Sequence, residues 1–217
     1  MKRRSIAFLT TFACCLLAQG VRGADILYDT LNRPVDRDGN FSDGYWLAMS
    51  FRTSDHSYML DSVSILLRNP NFLTSGTIQF ALFDTSGGNG LPGQPIDESL
   101  GSVSIGAIST NSYEEVKLTG LNRAVETSTN YWIVIASIGM SSTYFIGATQ
   151  DTGGMTAGSL GFTMSVNLGL DWNAASTDYF AIGQIVAVPE PSAMRFGSLA
   201  GGLAISILAF RKRRARA

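Results

Sequence analysis

The sequence predicts an all-β protein: a single antiparallel two-sheet sandwich, jelly-roll-like, with a helix at each end of the chain. Its length of 217 residues suits one domain with short extensions. Only 15% of the residues are charged, 45% are hydrophobic and 23 are glycine, unlike disordered or Glu/Lys-rich helical chains. Polar and apolar residues alternate repeatedly between residues 25 and 188, and no long amphipathic helical segment interrupts them. An immunoglobulin-like sandwich is the alternative topology.

Residues 1–24 are predicted to be a secretory signal peptide, which forms the N-terminal helix. Basic residues at 2–4 precede a charge-free apolar run at 6–18, and small residues then allow cleavage after residue 20, 23 or 24. The run is short for a membrane span of about 20 residues. Cys14 and Cys15 are the only two cysteines and leave with the signal. The mature protein is therefore expected to contain no disulfide.

The exported domain is predicted to span residues 25–188 and to contain nine or ten strands. These are expected at 46–51, 63–67, 77–83, 103–105, 116–118, 131–136, 144–146, 162–166 and 180–188. In the first, Leu47, Met49 and Phe51 share one face. Residues 131–136 are apolar on both faces, which predicts a central strand. The Gly-rich segment 87–93 is predicted to be a turn.

Charge is distributed unevenly along the chain. Six basic and sixteen acidic residues lie between 25 and 188, so this part has a net charge of about −10 although the whole chain has −1. An acidic domain without a basic stripe is repelled by phosphates, which argues against nucleic acid as a partner. It is compatible with a cation-rich extracellular matrix.

Residues 189–217 are predicted to be a membrane-spanning segment with a cytoplasmic tail. Pro189-Glu190-Pro191 precedes a mostly apolar stretch at 193–210. As a helix this stretch is about 27 Å long at ~1.5 Å per residue, close to the ~30 Å hydrocarbon core of a bilayer. Five basic residues hold the C-terminus in the cytoplasm by the positive-inside rule: Arg211, Lys212, Arg213, Arg214 and Arg216.

The order of Pro189-Glu190-Pro191, an apolar helix and a terminal arginine cluster resembles the PEP-CTERM sorting signal of Gram-negative bacteria. The resemblance covers residues 189–217. It implies that an exosortase-type membrane transpeptidase removes the tail near the Pro-Glu-Pro motif. The protein is then held in the membrane only transiently before it reaches the cell surface or extracellular matrix. Arg195 lies earlier than the basic cluster usual in that family.

Three short motifs in the exported domain resemble the choice-of-anchor domains of exported bacterial proteins, type R. They are Leu27-Tyr28-Asp29, Gly90-Leu91-Pro92-Gly93 and Tyr131-Trp132-Ile133-Val134. The resemblance covers most of residues 25–187 and implies no established activity.

Two segments carry oxygen donors of the kind that calcium requires. Asp36, Asp38 and Asn40 stand at alternate positions and are followed by Asp43. The match to an EF-hand loop fails, because Phe41 replaces its glycine and Leu47 its glutamate. Asp84, Ser86 and Asn89 form the second, weaker segment. Both segments are interpreted as turns, and no metal residue or cofactor is predicted.

Candidate acid–base residues are few. Glu114 and Glu115 are adjacent in a predicted strand, so their side chains point to opposite faces and cannot share a glycosidase site. His56, the only histidine, lies in the polar segment Ser54-Asp55-His56-Ser57 without a nucleophile motif nearby. It is interpreted as an exposed turn residue.

Aromatic residues are the remaining candidates, as platforms for sugar stacking. The set comprises Trp46, Trp132, Trp172, Tyr45, Tyr131 and Tyr179. Trp132 lies in the most apolar strand and is expected in the core. Trp172 lies in a polar loop and is the residue chosen for ligand contact, with packing against the sandwich as the simpler alternative.

The expected function is that of a cell-surface or extracellular-matrix structural or interaction protein without catalytic activity. The alternative is a carbohydrate-binding module of the exopolysaccharide matrix, with extracellular polysaccharide as its partner. A row of two or more exposed aromatic residues on one sheet face favours the module. Carboxylates clustered in a cleft favour an exported hydrolase instead.

Overall fold

Twelve β-strands form nearly all of the regular structure. The computed structural model describes residues 23–190 apart from 70–75, 106–107, 109–110, 141–142, 154, 156, 158, 175 and 177. The strands are β1 (Asp25–Asp29), β2 (Arg37–Phe41), β3 (Trp46–Arg52), β4 (Tyr58–Arg68), β5 (Thr77–Phe83), β6 (Pro95–Ser104), β7 (Glu114–Val125), β8 (Asn130–Ile138), β9 (Tyr144–Thr149), β10 (Phe162–Ser165), β11 (Phe180–Ala181) and β12 (Gly183–Pro189). Among the residues described, the only helical element is a 3-10 turn at Gly88–Gly90.

The strands form two antiparallel sheets. The larger sheet has seven strands in the order β1-β12-β4-β9-β11, with β7 paired to β4 and β2 paired to β9. The smaller sheet has five strands in the order β10-β3-β8-β5-β6. The prediction of an all-β fold with two antiparallel sheets is confirmed.

A hydrophobic core lies between the sheets and takes side chains from both. Leu47 and Met49 of β3 belong to the same buried cluster as Val63 and Ile65 of β4. Alternate side chains of a strand point to opposite faces, so each strand contributes every second residue to this core. The two sheets therefore pack face to face as in a sandwich.

Strand β8 lies in the middle of the five-stranded sheet and is buried on both faces, as its composition predicts. Its odd-numbered residues from 131 to 135 face the shared core. Trp132 and Val134 instead form a second buried cluster with Ala48 and Ala81. Trp132 is completely buried, but it lies on the outer side of the sheet rather than in the core between the sheets.

Most predicted strands are present, with shifts at their ends. The segment 77–83 coincides with β5, and 131–136 lies within β8. The segment 180–188 is divided into β11 and β12. The prediction missed β1 and β2, and it placed only short parts of β6 and β7.

The interpretation of residues 36–43 as a turn was wrong. Arg37–Phe41 forms β2, which pairs with β9 from Arg37 opposite Ala148 to Phe41 opposite Tyr144. Phe41 is completely buried in the core. The backbone hydrogen bonds between β2 and β9, together with the burial of the Phe41 ring, outweigh the local turn preference of Asp, Gly and Asn.

Several predicted segments lie outside the described residues. These are most of the signal peptide, Pro191, the apolar stretch at 193–210 and the basic residues from Arg211 to Arg216. In the part of the chain that is described, no helix is long and apolar enough to cross a membrane.

Candidate functional site

A groove of about 420 Å³ lies on the outer face of the five-stranded sheet, away from the core between the sheets. Its lining comes from β3, β5, β6 and β8: Trp46, Gln79, Ala81, Phe83, Pro95, Glu98, Val134 and Ala136. The solvent face of an antiparallel sheet is normally polar. Among the described residues, an apolar depression with aromatic walls on this face therefore has the character of a binding site.

The floor of the groove is apolar because small side chains occupy matching rows of three strands. Val134 of β8 lies opposite Ala48 of β3 on one side and Ala81 of β5 on the other. One row along, Ala136 lies opposite Trp46. Short side chains in the centre and larger ones at the edges produce the depression.

Two aromatic side chains form the walls. Trp46 belongs to β3 and Phe83 to β5, with β8 between them, and each is half-buried. From the strand spacing and the rise per residue, their Cα atoms are roughly 17 Å apart along a diagonal of the sheet. Both rings are therefore partly open to solvent at the two ends of one groove.

Trp46 is held in place by the loop that follows β10. Gly169 lies so close to its ring that an added Cβ would be 2.5 Å from Cε3, and its φ of +78° also favours glycine. The loop is fixed by its own side chains: the Gly169 amide donates to Ser165 Oγ at 2.9 Å, and Asn167 donates to Asp171 at 2.7 Å. One side of the indole is thus backed by a closely fitted loop.

Polar groups lie on the β5–β6 side of the groove, with Gln79 opposite Ala136. Gln79 Nε2 donates to the backbone carbonyl of Glu98 at 3.2 Å, which joins β5 to β6 beside the groove. The Glu98 residue is exposed. Its neighbour Asp97 lies 3.6 Å from Arg123, whereas no basic side chain of the described residues pairs with Glu98. The rim therefore carries one negative charge without a cationic partner from the described chain.

The loop between β5 and β6 covers Trp132 and closes on Asp84. Trp132 Nε1 donates to the carbonyl oxygen of Gly90 at 2.9 Å. Asp84 Oδ1 accepts hydrogen bonds from the amide of Ser86 at 3.0 Å and from the amide of Gln94 at 2.8 Å. The side chain of Asp84 thus fastens both ends of the loop.

The pKa of Asp84 reflects this role. Partial burial raises the pKa of the carboxyl group, but the hydrogen bonds from Ser86 and Gln94 outweigh it and leave the pKa below the ordinary value. Ser86 Oγ also donates to Asp84, at 2.6 Å. In the second calcium candidate, Asp84 and Ser86 therefore hydrogen-bond to each other and to backbone amides of the loop. Asn89 lies in the 3-10 turn.

The carboxylates of the first calcium candidate have separate protein partners. Asp36 accepts a hydrogen bond from the Gln150 amide at 2.8 Å. Asp43 accepts one from the Met140 amide at 3.0 Å. Among the described residues, no three His, Cys, Asp or Glu side chains are placed to hold one metal ion.

Asp38, the third of these carboxylates, belongs to a cluster with Arg68, Tyr113 and Phe145. Arg68 Nη2 lies 2.7 Å from Asp38, and the Tyr113 hydroxyl donates to Asp38 as well. The guanidinium lies 5.4 Å from the centre of the Tyr113 ring and 5.1 Å from that of Phe145. Burial and then the nearby Asp38 raise the pKa of Tyr113. The cluster joins β2, β4 and β9 by cation–π and ionic contacts.

His56 lies in the bend between β3 and β4, partly exposed, and its Nδ1 contacts the carboxylate of Asp55. This hydrogen bond lowers the pKa of Asp55. The neighbouring Ser54 hydroxyl is 2.7 Å from the Tyr58 hydroxyl. The described contacts therefore do not assemble a histidine between an acid and a nucleophile.

Glu114 and Glu115 are both exposed at the start of β7, where they lie opposite Leu67 and Leu66 of β4. Strand β7 pairs only with β4 and is an edge of the larger sheet. The groove lies on the other sheet, and neither carboxylate belongs to its lining.

Among the aromatic candidates, Trp46 lines the groove and Trp172 does not. Trp172 is half-buried and packs against the outer cluster that contains Trp132, which is the simpler alternative, and Trp46 and Phe83 pack against the same cluster. Phe83 was missed altogether. The alternation of β5, with Ile78, Phe80 and Leu82 inward, already directs Phe83 outward and was the signal that could have found it.

Two residues of the predicted sorting motif belong to the described chain. Pro189 is the last residue of β12, is buried and lies opposite Tyr58. The amide of Glu190 donates to the carbonyl oxygen of Ser57 at 2.9 Å. The motif therefore begins inside the sheet, without a linker.

No protein-family model matches this chain, and no curated protein is significantly similar to it.

Proposed function

We propose that the protein is an exported cell-surface or extracellular-matrix protein that acts by structure and interaction, without catalysis, and is sorted by an exosortase-type transpeptidase. The observation that carries this proposal is the order of segments: a signal sequence, a compact sandwich and a Pro-Glu-Pro, apolar, arginine-rich end. The place of Pro189 supports it, because the sandwich ends where the motif begins. A processed protein would keep its whole fold.

We assign the sandwich to the jelly-roll topology. The order β3-β8-β5-β6 in one sheet and β2-β9-β4-β7 in the other supports this assignment. Consecutive strands alternate between the sheets for most of the chain, as in two interlocked Greek keys. The immunoglobulin-like alternative needs hairpins within one sheet that this order lacks outside β5-β6.

A non-catalytic role is supported by the contacts of the candidate acid–base residues, because each of them is hydrogen-bonded in a different part of the fold. Asp38 is paired with Arg68, Asp84 caps a loop, and His56 contacts only its sequence neighbour Asp55 in the contacts described. A hydrolase needs two such groups directed at one cleft.

The second candidate function is a carbohydrate-binding module. The groove between Trp46 and Phe83 favours it, since two partly exposed aromatic rings on one sheet face are the feature this function requires. The two functions are compatible, because a matrix protein that holds polysaccharide performs both.

Intact-mass analysis of surface material tests the sorting proposal. We expect the mature protein to lack the residues after about Pro191, which leaves Pro189 and its pairing with Tyr58 intact. Pro191→Ala alters the motif without changing a residue of β12. It is expected to leave unprocessed chain in the membrane fraction, whereas Ser192→Ala is the matched control. An unprocessed arginine-rich C-terminus in surface material from the unaltered protein contradicts the proposal and favours a permanent single-pass anchor.

A further inference from the structure

The ligand class of the groove follows from its shape, its lining and its charge. The inference rests on the second candidate function, carbohydrate binding, and names the kind of saccharide. It does not depend on how the chain is sorted.

The shape selects a chain rather than a single sugar. The Cα atoms of the wall residues Trp46 and Phe83 are about 17 Å apart by strand geometry, so a ligand that contacts both residues needs several linked rings. The floor between them consists of Ala81, Val134 and Ala136. A ribbon-like ligand with apolar ring faces can lie flat over these short side chains and stack on an aromatic ring at each end.

The polar lining selects a ligand with hydroxyl groups along its edge. Gln79 and Glu98 are the only residues of the lining with polar side chains, and they lie on the same side, at β5 and β6. An apolar peptide or lipid would cover the Glu98 carboxylate without offering it a partner, which is unfavourable. A pyranose chain offers both apolar faces and polar edges.

The negative charge of Glu98 and of the whole domain distinguishes between acidic and amino-group-bearing saccharides. Glu98 has no basic partner among the described residues, and residues 25–188 carry a net charge of about −10. Acidic polysaccharides are therefore repelled by the domain, whereas a saccharide that carries ammonium groups is attracted both by its field and by Glu98 at the rim.

We infer that the groove between Trp46 and Phe83 binds a pyranose polysaccharide that carries free amino groups, with the sugar rings stacked on the two aromatic side chains and an ammonium group paired with Glu98.

Calorimetric titration of the full chain in detergent tests this inference, because it needs no processing step. The probes are glucosamine oligomers of two to six units, N-acetylglucosamine oligomers of the same lengths and galacturonate oligomers. N-acetylation removes the charge but keeps the ring. We expect affinity to rise with length up to the span of the groove, to fall about tenfold on N-acetylation and to be undetectable for galacturonate.

Variants locate the site. Trp46→Leu and Phe83→Leu keep apolar bulk and are each expected to weaken glucosamine-oligomer binding about tenfold. Glu98→Gln is expected to remove the preference for the free amine and to leave binding of the N-acetylated oligomer within about twofold. Trp172→Phe, at a half-buried aromatic residue on the same sheet face but outside the lining, is the matched control and is expected to bind normally. Circular dichroism verifies that each variant is folded.

Equal binding of amino, N-acetylated and acidic oligomers overturns the inference. So does unchanged binding by folded Trp46→Leu and Phe83→Leu variants, or absence of binding of every oligomer at millimolar concentration. If none of the oligomers binds while the mature C-terminus ends near Glu190, the ligand is wrong and the sorting proposal stands.

Discussion

Trp132 and Gly90 connect the central strand β8 to the glycine-rich loop after β5: the indole Nε1 donates a 2.9 Å hydrogen bond to the Gly90 carbonyl oxygen. The indole is completely buried although it lies on the outer side of the sheet. The loop and the half-buried side chains around it thus cover Trp132 on this face of the sheet. The loop also borders the groove at its Phe83 end, because Phe83 is the last residue of β5 before the loop.

Replacement of Trp132 is expected to be costly. Trp132→Ala should lower the free energy of unfolding by about 3–5 kcal/mol. Trp132→Phe should lower it by roughly 2 kcal/mol, because it removes the donor to Gly90 and leaves part of the indole volume empty. Urea unfolding measures both. The control, Trp46→Phe at a half-buried position, should cost less than about 1 kcal/mol. Equal costs for the two Phe variants would show that the loop contact contributes nothing.

Asp84 is predicted to make the loop sensitive to acid. Its pKa is lower in the folded than in the unfolded protein, so its stabilising effect is present above the unfolded value near 4 and is lost as pH falls through the lower folded value. Asp84→Asn should cost about 1 kcal/mol at neutral pH, since charge-assisted hydrogen bonds become ordinary ones. The difference from the unaltered protein should shrink below about pH 4.

Unfolding by urea at several pH values measures this change. Asp61→Asn, at an exposed residue of β4, is the control for a general change of charge. A stability difference for Asp84→Asn that stays constant from neutral pH down to about pH 3 would refute the proposed cap.

Arg68 should not be replaceable by lysine without loss. Its planar guanidinium lies against the rings of Tyr113 and Phe145 and reaches Asp38 at the same time. An ammonium group keeps the charge but not the planar contact. Arg68→Lys is expected to lower the free energy of unfolding by about 1 kcal/mol. Arg33→Lys, at the exposed pair with Asp151, should cost at most about 0.5 kcal/mol. If thermal unfolding shows the reverse order, the stacked geometry is not what stabilises the cluster.

The sequence predicted the strands that alternate, because alternation reports directly which side chains face the core. Strands β3 and β5 carry this signal and were located, whereas β8 was located by its continuous apolar run. Strand β2 was missed because its sequence, Arg-Asp-Gly-Asn-Phe, has only one buried side chain, and its structure depends on pairing with β9 more than 100 positions away in the chain. Non-local pairing of this kind leaves no local pattern.

The groove was predictable only in part. The alternation of β5 shows which of its residues point outward, and it therefore assigns Gln79 and Phe83 to one face. The adjacency of β3, β8 and β5, which brings Trp46 and Phe83 to the two ends of one depression, depends on strand order. Strand order is set by the packing of the whole sandwich, so the choice between Trp46 and Trp172 required the structure.

Asp38 provides a test that separates calcium binding from a purely structural role of residues 36–43. A true site, at a calcium concentration a hundredfold above its dissociation constant, would stabilise the fold by about 2.7 kcal/mol, and Asp38→Ala would abolish that gain. The structure indicates a different result, since Asp38 pairs with Arg68 and Tyr113. Asp38→Ala should lower the free energy of unfolding by at most about 1 kcal/mol in the presence of chelator, because Asp38 is exposed and its pairing with Arg68 is screened by solvent.

Calcium and magnesium should then raise the melting temperature of the unaltered protein and of Asp38→Ala by the same small amount, because any divalent cation relieves the repulsion within an acidic domain. Magnesium is the informative control, since it requires a tighter octahedral site than calcium and does not replace it well in a built calcium loop. Differential scanning calorimetry of both proteins with calcium, with magnesium and with chelator measures all six combinations. A calcium-specific gain that disappears in Asp38→Ala would show that the strand assigned here rearranges to bind the ion.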